Sequence, residues 1–180
     1  FELFYPIKDK ISSCVAGNHE ERITKEVGLC PLYDLTVRWG VQDRYRENLA
    51  ITKYAFGNER GKAKKQNVFV GITTHGSTRN KHDKFLGGFD GVDFSISGHT
   101  HTPFYAPMGR IRVSPQGTAR HVPFEELVVD ANMEVGGYGI KNEYTILPPP
   151  KLQYLELKVV YDTDTNRTKH RIMNYHSITI

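Results

Sequence analysis

Short apolar runs that end at polar turns divide this chain, and the pattern predicts buried strands joined by loops. The clearest run is residues 67–73 (NVFVGIT), which leads directly into a Thr-His-Gly turn. Residues 11–16 (ISSCVA) and 92–97 (VDFSIS) have the same form, and each of these runs stops at a glycine. The sequence therefore predicts three strands that each present polar residues at the point where they end.

Two helices are predicted between these strands. Residues 20–27 contain helix formers, carry acidic residues in the first turn, and stop at Gly28, which suits the end of a helix. A second helix is expected at residues 43–54, within a mixed segment. Residues 59–66 (ERGKAKKQ) are basic and interrupted by a glycine, so they predict a solvated loop.

Further strands are expected toward the C-terminus. Residues 110–113 alternate apolar and basic side chains, as an edge strand does. Residues 153–161 and 171–180 have the composition of strands, and the polar stretch 162–167 (DTDTNR) is expected to join them as a hairpin. The alternation of strands and helices predicts an α/β fold, in one domain over residues 1–180, with ligands at the carboxyl edge of its sheet.

Composition narrows the class of protein. No apolar run approaches the roughly 18–20 residues that a transmembrane helix needs, so no membrane partner is expected. Two cysteines, Cys14 and Cys30, are too few for a disulfide-rich scaffold, and free thiols predict a reducing, cytoplasmic compartment. The net charge of +4 permits attraction to phosphate-rich partners.

The three turns that follow the predicted strands carry the candidate chemistry. They are Gly-Asn-His-Glu at 17–20, Thr-His-Gly at 74–76 and Gly-His-Thr-His at 98–101. Imidazole is the commonest side-chain ligand for transition metals, and the amide oxygen of Asn18 is a neutral ligand beside it. His99 and His101 are two residues apart and would point to opposite sides of an extended turn, toward two ions.

Each turn taken alone has an ordinary interpretation. His75 could be a loop histidine, the His-Thr-His pair could belong to a surface turn, and Asn18 could be the N-cap of a helix. Gly98 is expected to adopt a backbone conformation that other residues resist. All three turns nevertheless occur behind predicted strands, which favours a shared site.

In this order the turns resemble those of the calcineurin-like metallophosphoesterases. That family carries Asp-x-His, Gly-Asp, Gly-Asn-His-Asp/Glu, a histidine after a strand, and Gly-His-x-His, and the last three blocks match residues 17–20, 75–76 and 98–101. The resemblance implies a four-layer α-β-β-α sandwich. Residues 136–150 (GGYGIKNEYTILPPP) are similar to a region of phage-type members, which implies a bacterial or phage-infected host cell.

The resemblance also implies a role for each matching residue. Asn18, His75 and His99 would ligate the second of two divalent ions, and His101 would ligate the first. His19 would act as a general acid or stabilise charge on the phosphoryl group, and Glu20 would orient His19. Nitrogen and oxygen ligands suit Mn, Fe, Co, Ni or Zn.

The chain departs from the family in one respect. It contains neither Asp-x-His nor Gly-Asp, and the ten residues before residue 11 are too few to hold those blocks and their strands. Because Phe1 rather than Met begins the sequence, we expect a fold that lacks its N-terminal strands here, as in the C-terminal portion of a longer protein. Loss of the first metal site is the other interpretation.

The implied activity is metal-dependent hydrolysis of phosphate esters, by a phosphodiesterase or nuclease. Basic clusters at 60–65, 79–84 and 110–120, with Tyr138 and Tyr144 as stacking surfaces, would suit nucleic acid, although solvated loops are the favoured explanation of them. A phosphomonoesterase and an inactive binding or scaffold module with the same fold are the alternatives. A structural zinc site is disfavoured because such sites usually recruit thiolates.

Overall fold

The structure is a computed structural model that describes residues 2, 4–57, 66–76, 89–99, 103–129, 151–161 and 168–179. Within these ranges it has two α-helices, α1 (Asn18–Val27) and α2 (Pro31–Trp39), and two short 3-10 helices, Tyr5–Lys10 and Gln42–Arg44. The strands are β1 (Cys14–Val15), β2 (Tyr45–Arg46), β3 (Leu49–Phe56), β4 (Asn67–Thr74), β5 (Phe94–Ser97), β6 (Phe104–Val113), β7 (Ala119–Val128), β8 (Lys151–Tyr161) and β9 (Thr168–Thr179).

A five-stranded mixed sheet forms the centre of the fold. Its strand order is β3-β4-β5-β7-β6. The inner pairs β4–β5 and β5–β7 are parallel, whereas the outer pairs β3–β4 and β6–β7 are antiparallel. The strands β1 and β2 make a separate parallel pair, and β8 and β9 form an antiparallel hairpin. These elements confirm a mixed α/β fold.

Both faces of the central sheet bury apolar side chains. On one face Ile72, Val92 and Phe124 form a core cluster, against which partly buried residues of the neighbouring elements pack. On the other face Phe69 is 1% exposed. The ring of Phe94 lies against Gly71, where an added Cβ would approach it to 2.4 Å, so glycine allows these two strands to pack.

The hairpin of β8 and β9 packs on the Phe69 face of the sheet. Arg171 donates a hydrogen bond to the Val68 carbonyl at 2.8 Å, and its guanidinium lies 4.3 Å above the Phe69 ring. The same guanidinium pairs with the Asp93 carboxylate at 2.8 Å. Further along β9, Tyr175 stacks on Tyr105 with ring centroids 4.2 Å apart. The hairpin therefore covers the sheet from β4 to β6.

Several predicted elements are confirmed. A helix covers residues 20–27, and Gly28 ends it with a left-handed φ of 71°. The strands predicted at 67–73, 92–97, 153–161 and 171–180 correspond to β4, β5, β8 and β9, and the strand at 110–113 is part of β6, at an edge of the sheet. The strand predicted at 11–16 is present as the two-residue β1.

The helix predicted at residues 43–54 is wrong. That segment holds β2 and most of β3, and β3 pairs with β4 over eight residues, from Leu49↔Thr74 to Phe56↔Asn67. The β-branched and aromatic residues from Ile51 onward favour a strand, and pairing with a buried neighbour outweighs the helix formers before them.

The helix α2 and the strand β7 were not predicted. The helix α2 begins at Pro31, a residue that usually interrupts helices. Proline is tolerated in the first turn because the N–H that it lacks would be unpaired there. The predicted loop at 59–66, apart from Gln66, and the hairpin connection at 162–167 lie outside the described residues. No helix in the described ranges is long and apolar enough to cross a membrane.

Candidate metal centre

Two adjacent parallel strands bring His75 and His99 to the same edge of the central sheet. In the register of β4 and β5, Thr74 lies opposite Ser97. The pairing continues one step further, because the Gly98 N–H donates to the His75 carbonyl at 3.1 Å. The carboxyl ends of parallel strands lie together, as expected of an α/β ligand site. The two imidazoles consequently stand side by side, with ring centroids 5.0 Å apart.

The turn between β1 and α1 brings Asn18 to this edge. Gly17 is the N-cap of α1, and Asn18 is the first residue of the helix, so the interpretation of Asn18 as an N-cap is wrong. The Glu20 carboxylate accepts the Gly17 N–H at 2.8 Å, a bond that satisfies an otherwise unpaired donor at the helix start. This bond fixes the turn from which the Asn18 side chain extends.

Asn18, His75 and His99 meet within hydrogen-bond distance. The His75 Nε2 atom lies 2.8 Å from the Asn18 Oδ1 atom and 3.1 Å from the His99 Nδ1 atom. Asn18 and His75 are 57 positions apart in the chain. The convergence that the sequence predicts for these three side chains is therefore present in the structure.

The donor atoms of the cluster suit a cation. An amide oxygen only accepts hydrogen bonds, so in the tautomer with a proton on His75 Nε2 that N–H can donate to Asn18 Oδ1, with His99 Nδ1 as a second acceptor. Neighbouring ligands of an ion with bonds of about 2.1 Å lie roughly 3.0–3.4 Å apart. A divalent ion in the place of that one proton would engage all three lone pairs.

The electrostatics of the cluster favour the neutral form of His75. Burial lowers the pKa of His75 below its ordinary value, and the nearby His99 lowers it further against the opposing effect of Glu20. Metal ions bind only the deprotonated ring nitrogen. The His75 ring is therefore neutral at neutral pH, and an ion at Nε2 requires only that the ring proton lie on Nδ1.

The backbone around the cluster is tightly constrained. A Cβ added to Gly17 would lie 2.8 Å from the His75 ring, so the close approach of β1 and His75 needs glycine. His99 has a φ of 72°, and it is the one non-glycine residue with positive φ in the described part of the chain. Gly98 was expected to take the unusual conformation; that prediction is wrong, because the strain lies on His99 instead.

The other predicted site residues are His19, Glu20 and His101. His19, the second residue of α1, is exposed, and His101 lies outside the described residues. The contact described for the Glu20 carboxylate is with the Gly17 N–H, and the orientation of His19 by Glu20 stays a prediction. Among described residues, no group of three His, Cys, Asp or Glu side chains could hold a metal ion, so the imidazole pair relies on Asn18 for its third ligand.

The hydrogen bond between the Gly17 N–H and the Glu20 carboxylate, which fixes the turn between β1 and α1, was not predicted from the sequence. The signal for it was present, because a glutamate three positions after the N-cap is the arrangement that closes onto the N-cap backbone. The dependence of His75 on Gly17 could not be read from the sequence, since it arises only when β4 lies beside the turn.

Comparisons of the chain with protein-family models, curated proteins and solved structures found no match.

Proposed function

We propose that this chain carries part of a dinuclear metal centre that hydrolyses phosphate esters, in a four-layer sandwich of the calcineurin-like type. The observation that carries the proposal is the meeting of Asn18 Oδ1, His75 Nε2 and His99 Nδ1 at 2.8 and 3.1 Å. Their positions behind strands, in the order of the family's motifs, support the same conclusion. A phosphodiesterase is the activity that we favour.

The residues divide into two sets. Asn18, His75 and His99 would hold one divalent ion through the three atoms that already converge. His101 is assigned to the other ion, whose further ligands would be the Asp-x-His and Gly-Asp blocks that these 180 residues do not contain. Bound ions would supply Lewis-acid chemistry, polarising a phosphoryl oxygen and lowering the pKa of water.

His19 is the residue that we assign to proton transfer. It adjoins Asn18 in the chain, it is exposed, and it contributes to the lowered pKa of His75, which indicates that the two rings are near each other. An imidazole there can hold a proton at its ring nitrogen and release it to the leaving alkoxide oxygen. Such a positioned acid typically contributes about 10²–10⁴-fold to a rate.

The first experiment measures binding and turnover separately in the full-length protein. We expect Mn²⁺ to bind in calorimetry and bis(p-nitrophenyl) phosphate to be hydrolysed faster than p-nitrophenyl phosphate. His75→Ala and His99→Ala should abolish tight binding of one ion and turnover. His19→Ala should keep the ion and lose about 10²-fold or more in turnover.

A matched control uses a histidine away from the cluster. His170 is exposed on β9, so His170→Ala should leave binding and turnover unchanged. Turnover that survives His99→Ala and His19→Ala would refute the assignment. Faster hydrolysis of the monoester would indicate the phosphomonoesterase, and ion binding without hydrolysis of either ester would indicate the scaffold module.

A further inference from the structure

The strands β6 and β7 extend beyond the central sheet as a two-stranded arm. β7 pairs with β5 only through Glu125–Val128. The pairing of β6 with β7 continues from Met108↔Phe124 to Val113↔Ala119, and no third strand accompanies it in the described part of the chain. We call residues 108–124 the β6–β7 arm. The carboxyl ends of β5 and β7 lie at the metal centre. Because the arm contains the amino-terminal part of β7, it projects from the opposite end of the sheet.

The arm is held firmly at its base and its tip. At the base, the Arg110 guanidinium donates to the carbonyls of Phe89 and Val92 and lies 5.0 Å above the Phe124 ring. At the tip, the Ser114 N–H donates to the Thr118 carbonyl at 2.9 Å, and the Thr118 N–H donates to the Ser114 hydroxyl at 3.1 Å. An isolated two-stranded hairpin is marginally stable in water, and these contacts preorganise this one.

The charge of the arm has one sign. Residues 108–124 contain three arginines and no acidic residue. Arg112 lies directly opposite Arg120 in the register of β6 and β7, and like charges in that position destabilise a sheet. Arg112 pairs with Asp90 at 2.7 Å, but both side chains are exposed, and no acidic partner of Arg120 occurs among the described contacts. An anion shared by the two arginines would relieve their repulsion.

The other face of the arm exposes large apolar side chains, with His121 opposite Ile111. Ile111 and Val113 point away from the arginine face, and they are 74% and 62% exposed. Large apolar side chains this exposed, on the face opposite the arginines, are typical of an interaction surface. A partner that binds the arm must therefore offer anions to the arginines and apolar groups to Ile111 and Val113, within the width of two strands.

We propose that the β6–β7 arm binds duplex DNA by entering its major groove. That groove is about 12 Å wide and accepts a two-stranded ribbon, with phosphates at its rims and thymine methyl groups on its floor. With Ile111 and Val113 toward the base edges, the long side chains of Arg112 and Arg120 would extend from the opposite face of the ribbon to the phosphates at the rims. The inference goes beyond phosphoester hydrolysis and does not depend on it, because such binding needs no metal ion.

The test measures binding of the full-length protein to a fluorescent 20-base-pair DNA by anisotropy, in EDTA and over a range of salt concentrations. Each phosphate contact contributes about 0.9 to the slope of log K against log salt. Arg112→Gln with Arg120→Gln should weaken binding roughly 10- to 60-fold near 0.1 M salt and reduce the slope by about 2. Arg112→Lys with Arg120→Lys should retain most of the affinity, since lysine also binds phosphate.

The control removes one positive charge from the opposite edge of the same sheet. Lys53 is exposed on β3, so Lys53→Gln should change affinity less than twofold. Unchanged circular dichroism and melting temperature would show that the double variant is folded. Because EDTA removes metal ions, loss of hydrolytic activity has no bearing on this result.

Four outcomes would overturn the proposal. The first is wild-type affinity and salt slope in the double variant, and the second is an equal loss in Lys53→Gln. The third is equal affinity for duplex RNA, whose deep, narrow major groove excludes a ribbon. A DNA-independent dimer that Ile111→Ser dissociates, without any DNA binding, would assign the arm to contacts between copies of this chain.

Discussion

The two halves of the candidate metal centre are supported in different ways. His75 and His99 follow strands of the central sheet, where β4 pairs with β3 over eight residues and with β5 over four. Asn18 follows β1, which pairs with β2 over two residues only. The imidazoles therefore rest on an extensive framework, whereas the amide depends on a few local contacts.

Apart from the Ala16 N–H, which donates to the Arg46 carbonyl at 3.1 Å, those local contacts are made by side chains. The Glu20 carboxylate holds the Gly17 N–H, and the Arg44 guanidinium donates to the carbonyls of Lys8, Asp9 and Ile11 at 3.2, 3.1 and 2.6 Å. Substitutions in the sheet should consequently destabilise the whole fold, while substitutions near the turn should disturb the site more than the fold.

The largest expected effect tests the framework. Phe69→Ala removes a ring that is 1% exposed and packs edge-to-face against Phe56, with centroids 5.6 Å apart. The cavity and the lost burial should lower the free energy of unfolding by about 3–5 kcal/mol. Urea denaturation followed by circular dichroism measures the loss.

The fluorescence of Trp39, the single tryptophan of the chain, provides a second probe of the same unfolding transition. It follows the unfolding of α2, which lies beside β2. Ile51→Ala is the control, since its side chain is 56% exposed on the neighbouring strand and should cost less than about 1 kcal/mol. Equal losses in the two variants would mean that the sheet does not provide the stability assigned to it.

An intermediate effect is expected at the turn. Gly17→Ala would place a methyl group 2.8 Å from the His75 ring, so the ring or the turn must move. We expect a loss of about 1–3 kcal/mol in the free energy of unfolding, together with weaker binding of Mn²⁺ in calorimetry.

Gly98→Ala provides the matched control at the same edge. The nearest atom to its added Cβ would be 3.7 Å away, an ordinary contact, and its φ is not positive. It should leave Mn²⁺ binding close to that of the wild-type protein. If Gly17→Ala binds Mn²⁺ as tightly as Gly98→Ala does, close packing at Gly17 does not position His75.

The smallest expected effect is a difference in reactivity between two thiols, Cys14 in β1 and Cys30 before α2. It does not involve the stability of the fold. Burial raises the pKa of Cys14 despite the opposing charge of Arg44. Burial also raises the pKa of Cys30, but hydrogen bonds led by that of the Tyr45 hydroxyl outweigh it, so the net pKa lies below its usual value.

Because the thiolate is the reactive form, Cys30 should be alkylated by iodoacetamide faster than Cys14, and its rate should reach a plateau at lower pH. Peptide mass spectrometry at timed intervals measures both rates. Tyr45→Phe removes a hydrogen bond that stabilises the thiolate and should slow Cys30 alone. Equal rates at the two sites would contradict the difference in their surroundings.

The sequence predicted those features that depend on local pattern. The alternation of apolar runs and glycine turns identified β4, β5, the C-terminal strands and the end of α1, and the order of the motifs identified Asn18, His75 and His99 as neighbours. Each of these follows from residues close together in the chain, or from the rule that parallel strands deliver their ends to one edge.

The features that could not be predicted depend on distant partners. The strand β3 contains helix formers, and its pairing with β4 decides its conformation. The backbone strain falls on His99 rather than on Gly98 because Gly98 continues the pairing of β5 with the His75 carbonyl. The approach of His75 to Gly17 likewise requires the whole sheet to be in place.

The left-handed conformation of His99 has a consequence for how this protein can change. A side chain there raises the energy of the folded state by roughly 1 kcal/mol or more relative to glycine. Variants enriched for heat resistance alone would accordingly replace His99 with glycine or asparagine, and would lose an imidazole as they did so. Persistence of histidine at position 99 in such a population would be evidence that selection acts on the ligand itself.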